Sequence, residues 1–203
     1  MTGPCKQTLP AGPAPQRPAR IEPLSREEYL RLRSDLGSAP VSAIDAGLHI
    51  SRTWAKNPAL MMAQTPLQSY FMTNAALPAR LREIAILRIG WRCGSNYEFG
   101  QHTTLGRRAG LDDEEISRLA TAGAGTGWSP LERAVIDCAD EMHASHDLSD
   151  RTWAALAGHL GPAEIIELLS LIGRYWTVSV VANSLRIQLE PGATGIPAQD
   201  QAP

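Results

Sequence analysis

Helix-start signals recur along almost the whole chain between residues 25 and 190. Four of them place a Ser or Asp that can cap a helix three residues before a Glu that can reach back to the cap N–H. The four pairs are Ser25 with Glu28, Ser95 with Glu98, Asp112 with Glu115, and Ser129 with Glu132. Pro58, Pro78 and Pro162 suit a first helical turn. Strand signals are almost absent, so the sequence predicts an all-α fold of about eight or nine helices.

The two ends of the chain differ in composition from this central part. Residues 1–24 contain six prolines, and residues 191–203 are rich in Pro, Gly, Ala and Gln without helical periodicity. Neither segment carries enough apolar surface to offset the entropy that is lost on ordering. We therefore predict a disordered or extended Pro-rich tail at 1–24, a single helical domain at 25–190 and a flexible tail at 191–203.

Charge and cysteine content narrow the classes of partner and compartment. The chain has 19 Lys and Arg against 21 Asp and Glu, a formal net charge of −2, with the two signs interleaved. Such a chain lacks the basic field that favours nucleic acids or anionic membranes, so we expect neither partner. The N-terminus has no apolar secretory core, and Cys5, Cys93 and Cys138 are too far apart to suggest a disulfide framework. A cytoplasmic protein is expected.

The segment from residue 162 to 190 is apolar around most of its circumference. Glu167, Arg174 and Arg186 interrupt it, which favours a buried helix over a membrane span. Most faces of such a helix must be buried against other protein. One domain of this size can hardly bury all of them. We therefore expect the chain to form a homo-oligomer.

Three side chains between residues 77 and 111 form a candidate acid/base set. Glu83 shares a helix face with Ile86, so its carboxylate is directed toward the core. Glu98 and His102 are four residues apart on the next predicted helix and can form a hydrogen bond. A carboxylate beside an imidazole fixes its tautomer and raises its pKa, which suits proton transfer.

Structural explanations also exist for these residues. Glu83 can form an ion pair with Arg80 or with a neighbouring helix. Glu98 is the third residue of the capping box predicted at Ser95, and a single His on a helix is often just packed. Taken alone, the pattern leaves both interpretations open.

Cys93 is a candidate secondary site. It lies just before the second helix of this segment, where the positive end of the helix dipole can stabilise a thiolate. No second cysteine is near in sequence. The competing interpretation is a small, partly buried residue that leads into a tight turn at Gly94.

His and acidic residues also cluster at 141–147. His143 and His146 are spaced too loosely for a structural zinc site, and no cysteine or second histidine pair follows nearby. Both fall in the last turn of a predicted helix, where histidine interacts favourably with the negative end of the dipole. We expect no metal ion and no other cofactor.

The residues around the acid/base set resemble a known family. The run LPARLREIAILR, followed by WRCGSNYEFGQH and RRAGLDDEEI, is similar to the carboxymuconolactone decarboxylase family within the alkylhydroperoxidase D-like (AhpD-like) superfamily. The similarity is densest over residues 77–119 and extends more weakly from 58 to 190. The resemblance implies an all-helical AhpD-like domain that assembles as dimers, trimers or hexamers, with its site in a pocket between helices.

The resemblance also implies site residues. In the peroxidase branch, a glutamate lies nineteen positions before a histidine, and Glu83 and His102 match that spacing. The branch also has two cysteines seven and four positions before the histidine, where this chain has Ser95 and Glu98. Peroxide reduction through a disulfide within this motif is therefore not expected. Glu83, Glu98 and His102 remain, in agreement with the decarboxylase-like branch.

These observations lead to one main hypothesis and two alternatives. The main hypothesis is a cofactor-independent lyase or isomerase that decarboxylates, isomerises or cyclises a small organic acid, lactone or enone. In it, Glu83 or His102 transfers the proton and Glu98 orients the imidazole. The alternatives are a single-cysteine thiol peroxidase that uses Cys93 with an external thiol, and a non-catalytic helical assembly that binds a hydrophobic small molecule in the same pocket.

Overall fold

The computed structural model describes residues 17–37 and 45–197, which form nine α-helices and one short 3-10 turn at Asp45–Gly47. The helices are α1 (Arg26–Asp35), α2 (His49–Trp54), α3 (Pro58–Thr73), α4 (Ala79–Arg92), α5 (Asn96–Arg108), α6 (Asp113–Leu119), α7 (Pro130–Ser145), α8 (Asp150–Ala157) and α9 (Pro162–Leu185). These ranges contain no strand. The predicted all-α, single-domain fold is confirmed.

Local sequence signals predicted most of the helix starts. The capping boxes at Ser25, Asp112 and Ser129 are present. At α5, the Ser95 side chain accepts a hydrogen bond from Glu98 N, but the Glu98 carboxylate does not return to the cap. The capping box predicted there is wrong, because the Ser95 N–H already donates to Gly90 O across the α4–α5 turn. The Glu98 carboxylate is therefore free for another partner.

α4 is the centre of the main hydrophobic core. It packs against α5, α7 and α9, and nine of its 14 residues are buried. A second, smaller cluster joins α1, the 3-10 turn, α2 and α3. α3 connects the two clusters, because Met61 lies in the smaller one and Phe71 in the main one.

Arg88 of α4 is fully buried and forms hydrogen bonds with α7 and with the segment at the end of α6. Its guanidinium forms two hydrogen bonds with Asp140 of α7, at 2.5 and 2.7 Å. The other three N–H groups donate to backbone carbonyls of Leu119, Thr121 and Ala122. All five donors of the guanidinium are thus satisfied, as burial of a charged group requires.

α9 combines a buried and an exposed face. By length and composition alone it could cross a membrane, but half of its most apolar window is buried inside the domain. A core helix passes the same test, and α9 packs against α4 and α5. Ile166 and Val180 remain exposed on its outer face.

We expect a second copy of the chain to cover the exposed apolar side chains of α3 and α9. Leu60, Leu67 and Met72 on α3, with Ile166 and Val180 on α9, are between 45% and 65% exposed. Apolar surface of this kind is typical of an interface. Light scattering should give a multiple of the 21.9 kDa chain mass. A monomer mass at micromolar concentration would contradict this prediction.

The described parts of the two predicted tails have defined contacts. Gln188 Nε2 donates to Arg17 O, and Arg20 N donates to Leu185 O. Near the other end, Ile196 N donates to the side chain at position 96. Residues 1–16 and 198–203 lie outside the described residues, and for them the tails stay a prediction.

Candidate active site

His102 lies between two carboxylates that come from two helices. Its Nδ1 is 2.7 Å from Glu83 Oε2 on α4, and its Nε2 is 3.1 Å from Glu98 Oε1, one turn earlier on α5. None of the three side chains is more than 13% exposed. The structure therefore brings together the three residues that the sequence suggested as an acid/base set.

The alternative partner for Glu83 is engaged elsewhere. Arg80 pairs with Glu115 at 2.5 Å and with Glu132 at 2.7 Å, so the alternative of an Arg80–Glu83 ion pair does not hold. Glu83 instead faces the imidazole across the α4–α5 contact. The interpretation that Glu83 pairs with a residue of a neighbouring helix is correct, and that residue is His102, whose imidazole is titratable.

The charge state of His102 follows from its two acceptors. An imidazole can donate from both ring nitrogens only when it is doubly protonated. Burial lowers the pKa of His102, but the negative charge of Glu83 and the hydrogen bonds to Glu83 and Glu98 outweigh it, so the pKa lies well above 6.5. The site therefore holds an imidazolium between two carboxylates near neutral pH.

This arrangement predicts a pH dependence that NMR can measure. The pKa of His102 is raised in the folded state, so its contribution to stability is complete below the ordinary pKa of 6.5 and is lost as the pH rises through the folded value. Imidazole resonances should report a pKa well above 6.5 in the wild type. In Glu83→Gln this pKa should fall. A wild-type pKa at or below the ordinary value would contradict the geometry.

Tyr175 of α9 is a site residue that the sequence analysis missed. Its ring packs edge-on against His102, with ring centroids 4.9 Å apart. Burial raises the pKa of its hydroxyl, and the charges of Glu98 and Glu83 act in the same direction. The one available signal was a hydroxyl-bearing ring in an otherwise apolar helix, which indicates neither the face it occupies nor its neighbour.

A pocket of about 180 Å³ opens beside Glu83. Its walls come from α3, α4, α5 and α9 and include Phe71, Ile86, Leu171 and Tyr175. Glu83 lines this pocket, whereas His102 and Glu98 do not. Of the three acid/base residues, Glu83 is thus the one placed to meet a small molecule there.

Cys93 caps the C-terminus of α4 and is partly buried. Burial raises the pKa of its thiol to about 12, which is opposite to the effect expected from the helix dipole. The other free cysteine in the described ranges is Cys138, which is fully buried in the core. The structure therefore favours the interpretation of Cys93 as a packed residue before the turn at Gly94.

Glu141 and His146, two residues of the cluster at 141–147, have structural partners. Glu141 accepts hydrogen bonds from Ser149 and Thr152 at the start of α8. The His146 ring stacks on Trp176, with ring centroids 5.4 Å apart. Among the residues that the structure describes, no group of three or more His, Cys, Asp or Glu side chains could hold a metal ion.

Comparisons with solved structures show where this fold occurs. A protein of unknown function from Agrobacterium tumefaciens, described as a candidate antioxidant defence protein AhpD, is 21% identical with a TM-score of 0.63, over 68% of this chain and 94% of its own. A cysteine-to-alanine variant of the debrominase Bmp8, in complex with 2,3,4-tribromopyrrole, is 17% identical with a TM-score of 0.68, over 84% and 91%. An uncharacterized peroxidase-related protein from Silicibacter sp. TM1040 is 17% identical with a TM-score of 0.66, over 94% and 96%.

A match to a protein family covers the central part of the sequence. No curated protein matches the chain. Residues 58–141, from the start of α3 into α7, match the carboxymuconolactone decarboxylase family. This range contains Glu83, Glu98 and His102. Residues 58–141 therefore match the carboxymuconolactone decarboxylase family, and the fold of the described chain is that of the AhpD-like structures.

Proposed function

We propose that the protein is a cofactor-independent acid/base enzyme, a lyase or isomerase, that acts on a small organic acid, lactone or enone. One observation carries the proposal: Glu83 lines the pocket and also binds His102 at 2.7 Å. The carboxylate thus connects a site for a small molecule with a buried, protonated imidazole. Such a pair can take up and return a proton near neutral pH.

The three residues have different roles in this proposal. Glu83 is the catalytic residue, since it alone of the three lines the pocket. His102 does not line the pocket and acts through Glu83: it balances the charge of that carboxylate, holds it in one orientation and supplies the proton that Glu83 relays. Glu98 holds the second ring nitrogen and so keeps the imidazole protonated.

The proposed chemistry is a proton transfer beside a carbonyl group. In an isomerisation, Glu83 removes a proton from a carbon next to the carbonyl and returns it to a different carbon of the resulting enolate. In a decarboxylation, the bond between the substrate carbon and its carboxylate breaks, CO₂ leaves, and the electron pair of the bond stays on the carbon. The resulting carbanion takes a proton that Glu83 relays from His102, and the pair takes up a proton from solvent before the next turnover.

Deuterium exchange tests this proposal before the substrate is known. Small ketones, lactones and unsaturated acids are incubated with the protein in D₂O, and ¹H NMR follows the loss of signal next to the carbonyl group. We expect exchange that depends on the wild-type protein and disappears in Glu83→Gln. Absence of exchange across the panel, or equal exchange with Glu83→Gln, would overturn the proposal.

The thiol peroxidase alternative makes a separate prediction. Two of the similar structures are described as AhpD or peroxidase-related proteins, and the fold is compatible with either activity. A thiol whose pKa is raised to about 12 holds little thiolate, so we expect peroxide turnover with an external thiol to be absent or minor. Rapid turnover that is lost in Cys93→Ser would contradict this expectation. Slow stoichiometric oxidation of Cys93 would not, because an accessible thiol undergoes it without turnover.

A further inference from the structure

The pocket beside Glu83 has two arginines in its wall. Arg82 of α4 and Arg108 of α5 both line it. Arg108 has no carboxylate within ion-pair distance in the part of the chain that the structure describes, and Arg82 donates to the carbonyl of Leu77. The neighbouring Arg107, by contrast, pairs with Asp113 at 2.7 Å and does not line the pocket.

The two arginines of the wall differ in their charged neighbours. The positive charge of Arg82 helps to lower the pKa of the nearby Glu167 carboxyl, so Arg82 already has a carboxylate beside it. Arg108 lines the pocket without a carboxylate within ion-pair distance among the described residues. A carboxylate of a ligand in the pocket can therefore pair with Arg108, with Arg82 in the same wall.

The other lining residues limit the size and polarity of the uncharged part of such a ligand. Phe71, Ile86 and Leu171 present apolar side chains, and the volume of about 180 Å³ suits a molecule the size of one substituted ring. Guanidinium groups bind carboxylates through charge-assisted hydrogen bonds, which are stronger than neutral ones. The wall can therefore bind both the charged end and the apolar end of the same small molecule.

We propose that Arg82 and Arg108 are specificity-determining residues that hold the carboxylate of a small apolar monoanion, with its ring or chain against Phe71, Ile86 and Leu171. The inference rests on the proposed function, because it selects the organic acid among the substrate classes considered for that site. It places the carboxylate on the arginines and the reacting carbon toward Glu83.

Calorimetry with two probes of equal shape tests the inference. Benzoate carries the charge, and benzamide is its neutral analogue. The full-length protein should bind benzoate at least about tenfold more tightly than benzamide, as expected for hydrogen bonds between charged groups. Arg108→Gln should weaken benzoate binding by about tenfold or more while benzamide binding is unchanged, and Arg82→Gln should act in the same direction.

Matched variants separate this inference from a general charge effect and from the proposed function. Arg107→Gln removes a neighbouring positive charge outside the pocket, and it should leave both affinities unchanged. Glu83→Gln removes the proton-transfer group but no cation, so it should keep the preference for benzoate even where deuterium exchange is lost. That result would support the anion site whatever the outcome of the exchange experiment.

Three results would overturn the inference. Benzoate and benzamide bind equally, or Arg108→Gln leaves benzoate binding intact, or benzoate does not bind at about 10 mM, where a weak ligand of this size is still detected. Arg108 is exposed at the last turn of α5, so its substitution should not prevent folding. Circular dichroism of the variant verifies this.

Discussion

Glu83→Gln should lower kcat by about 10²–10⁴-fold on any substrate that the wild-type protein converts, the usual effect of removing a proton-transfer group. The amide keeps the shape of the side chain and can still contact His102, so the fold should persist. Its conjugate acid is far too strong for it to accept a proton from carbon. The measurement is steady-state kinetics on the substrate identified from the exchange panel.

Variants of the other two residues distinguish catalytic from structural roles. His102→Ala should lower kcat to a similar extent, because Glu83 then loses its charge partner and its orientation. Glu98→Gln should shift the pH profile of kcat to lower pH, since the imidazolium loses one of its two compensating charges. Glu114→Gln is the matched control, because Glu114 is exposed and pairs with Arg118 on the surface. Near-native activity in Glu83→Gln, His102→Ala and Glu98→Gln would show that these three residues do not carry the catalysis.

Arg88→Met should lower the free energy of unfolding by about 3–5 kcal/mol, the usual effect of breaking a buried ion pair from one side. Methionine fills a similar volume but donates no hydrogen bond. Asp140 then keeps only Arg92 as a charged partner within the described residues, and three buried carbonyl groups lose their donor. Urea unfolding followed by circular dichroism measures the change.

A surface arginine provides the control for this stability prediction. Arg107 and Asp113 form an ion pair whose side chains are both more than half exposed. Arg107→Met should therefore change the free energy of unfolding by at most about 1 kcal/mol. A loss below about 1 kcal/mol in Arg88→Met as well would show that the network around Asp140 does not stabilise the fold.

The fold could be predicted from sequence because its determinants are local. Caps at Ser25, Asp112 and Ser129 act within one turn of their helices, and the apolar periodicity identifies the faces that pack. The glycine-rich segment 123–127 shows where composition is less informative. Ala124 within it is fully buried, and its carbonyl accepts a hydrogen bond from the Trp128 side chain. Gly125 and Gly127 have positive φ angles in this turn, and glycine composition alone does not specify such a turn.

The candidate site was only partly accessible from sequence. Glu98 and His102 are four residues apart on one helix, so their contact follows from helix geometry. The contact between Glu83 and His102 was supplied by the family resemblance, since it depends on how α4 packs against α5. Tyr175 faces the site because of the orientation of α9 about its own axis. The nearly uniform apolar pattern of that helix does not specify this orientation.

Residues 17–20 lie beside residues 184–188 at the end of α9, and this has a consequence for folding during synthesis. Arg20 donates from its backbone to Leu185 O and from its side chain to Ser184 O, a partner 164 residues further along the chain. When the N-terminal segment leaves the ribosome, the residues that hold it have not yet been made. Helices α1 to α8 can begin to pack earlier, because their contacts are closer in sequence. The contacts between residues 17–20 and 184–188 therefore form only after α9 has been made.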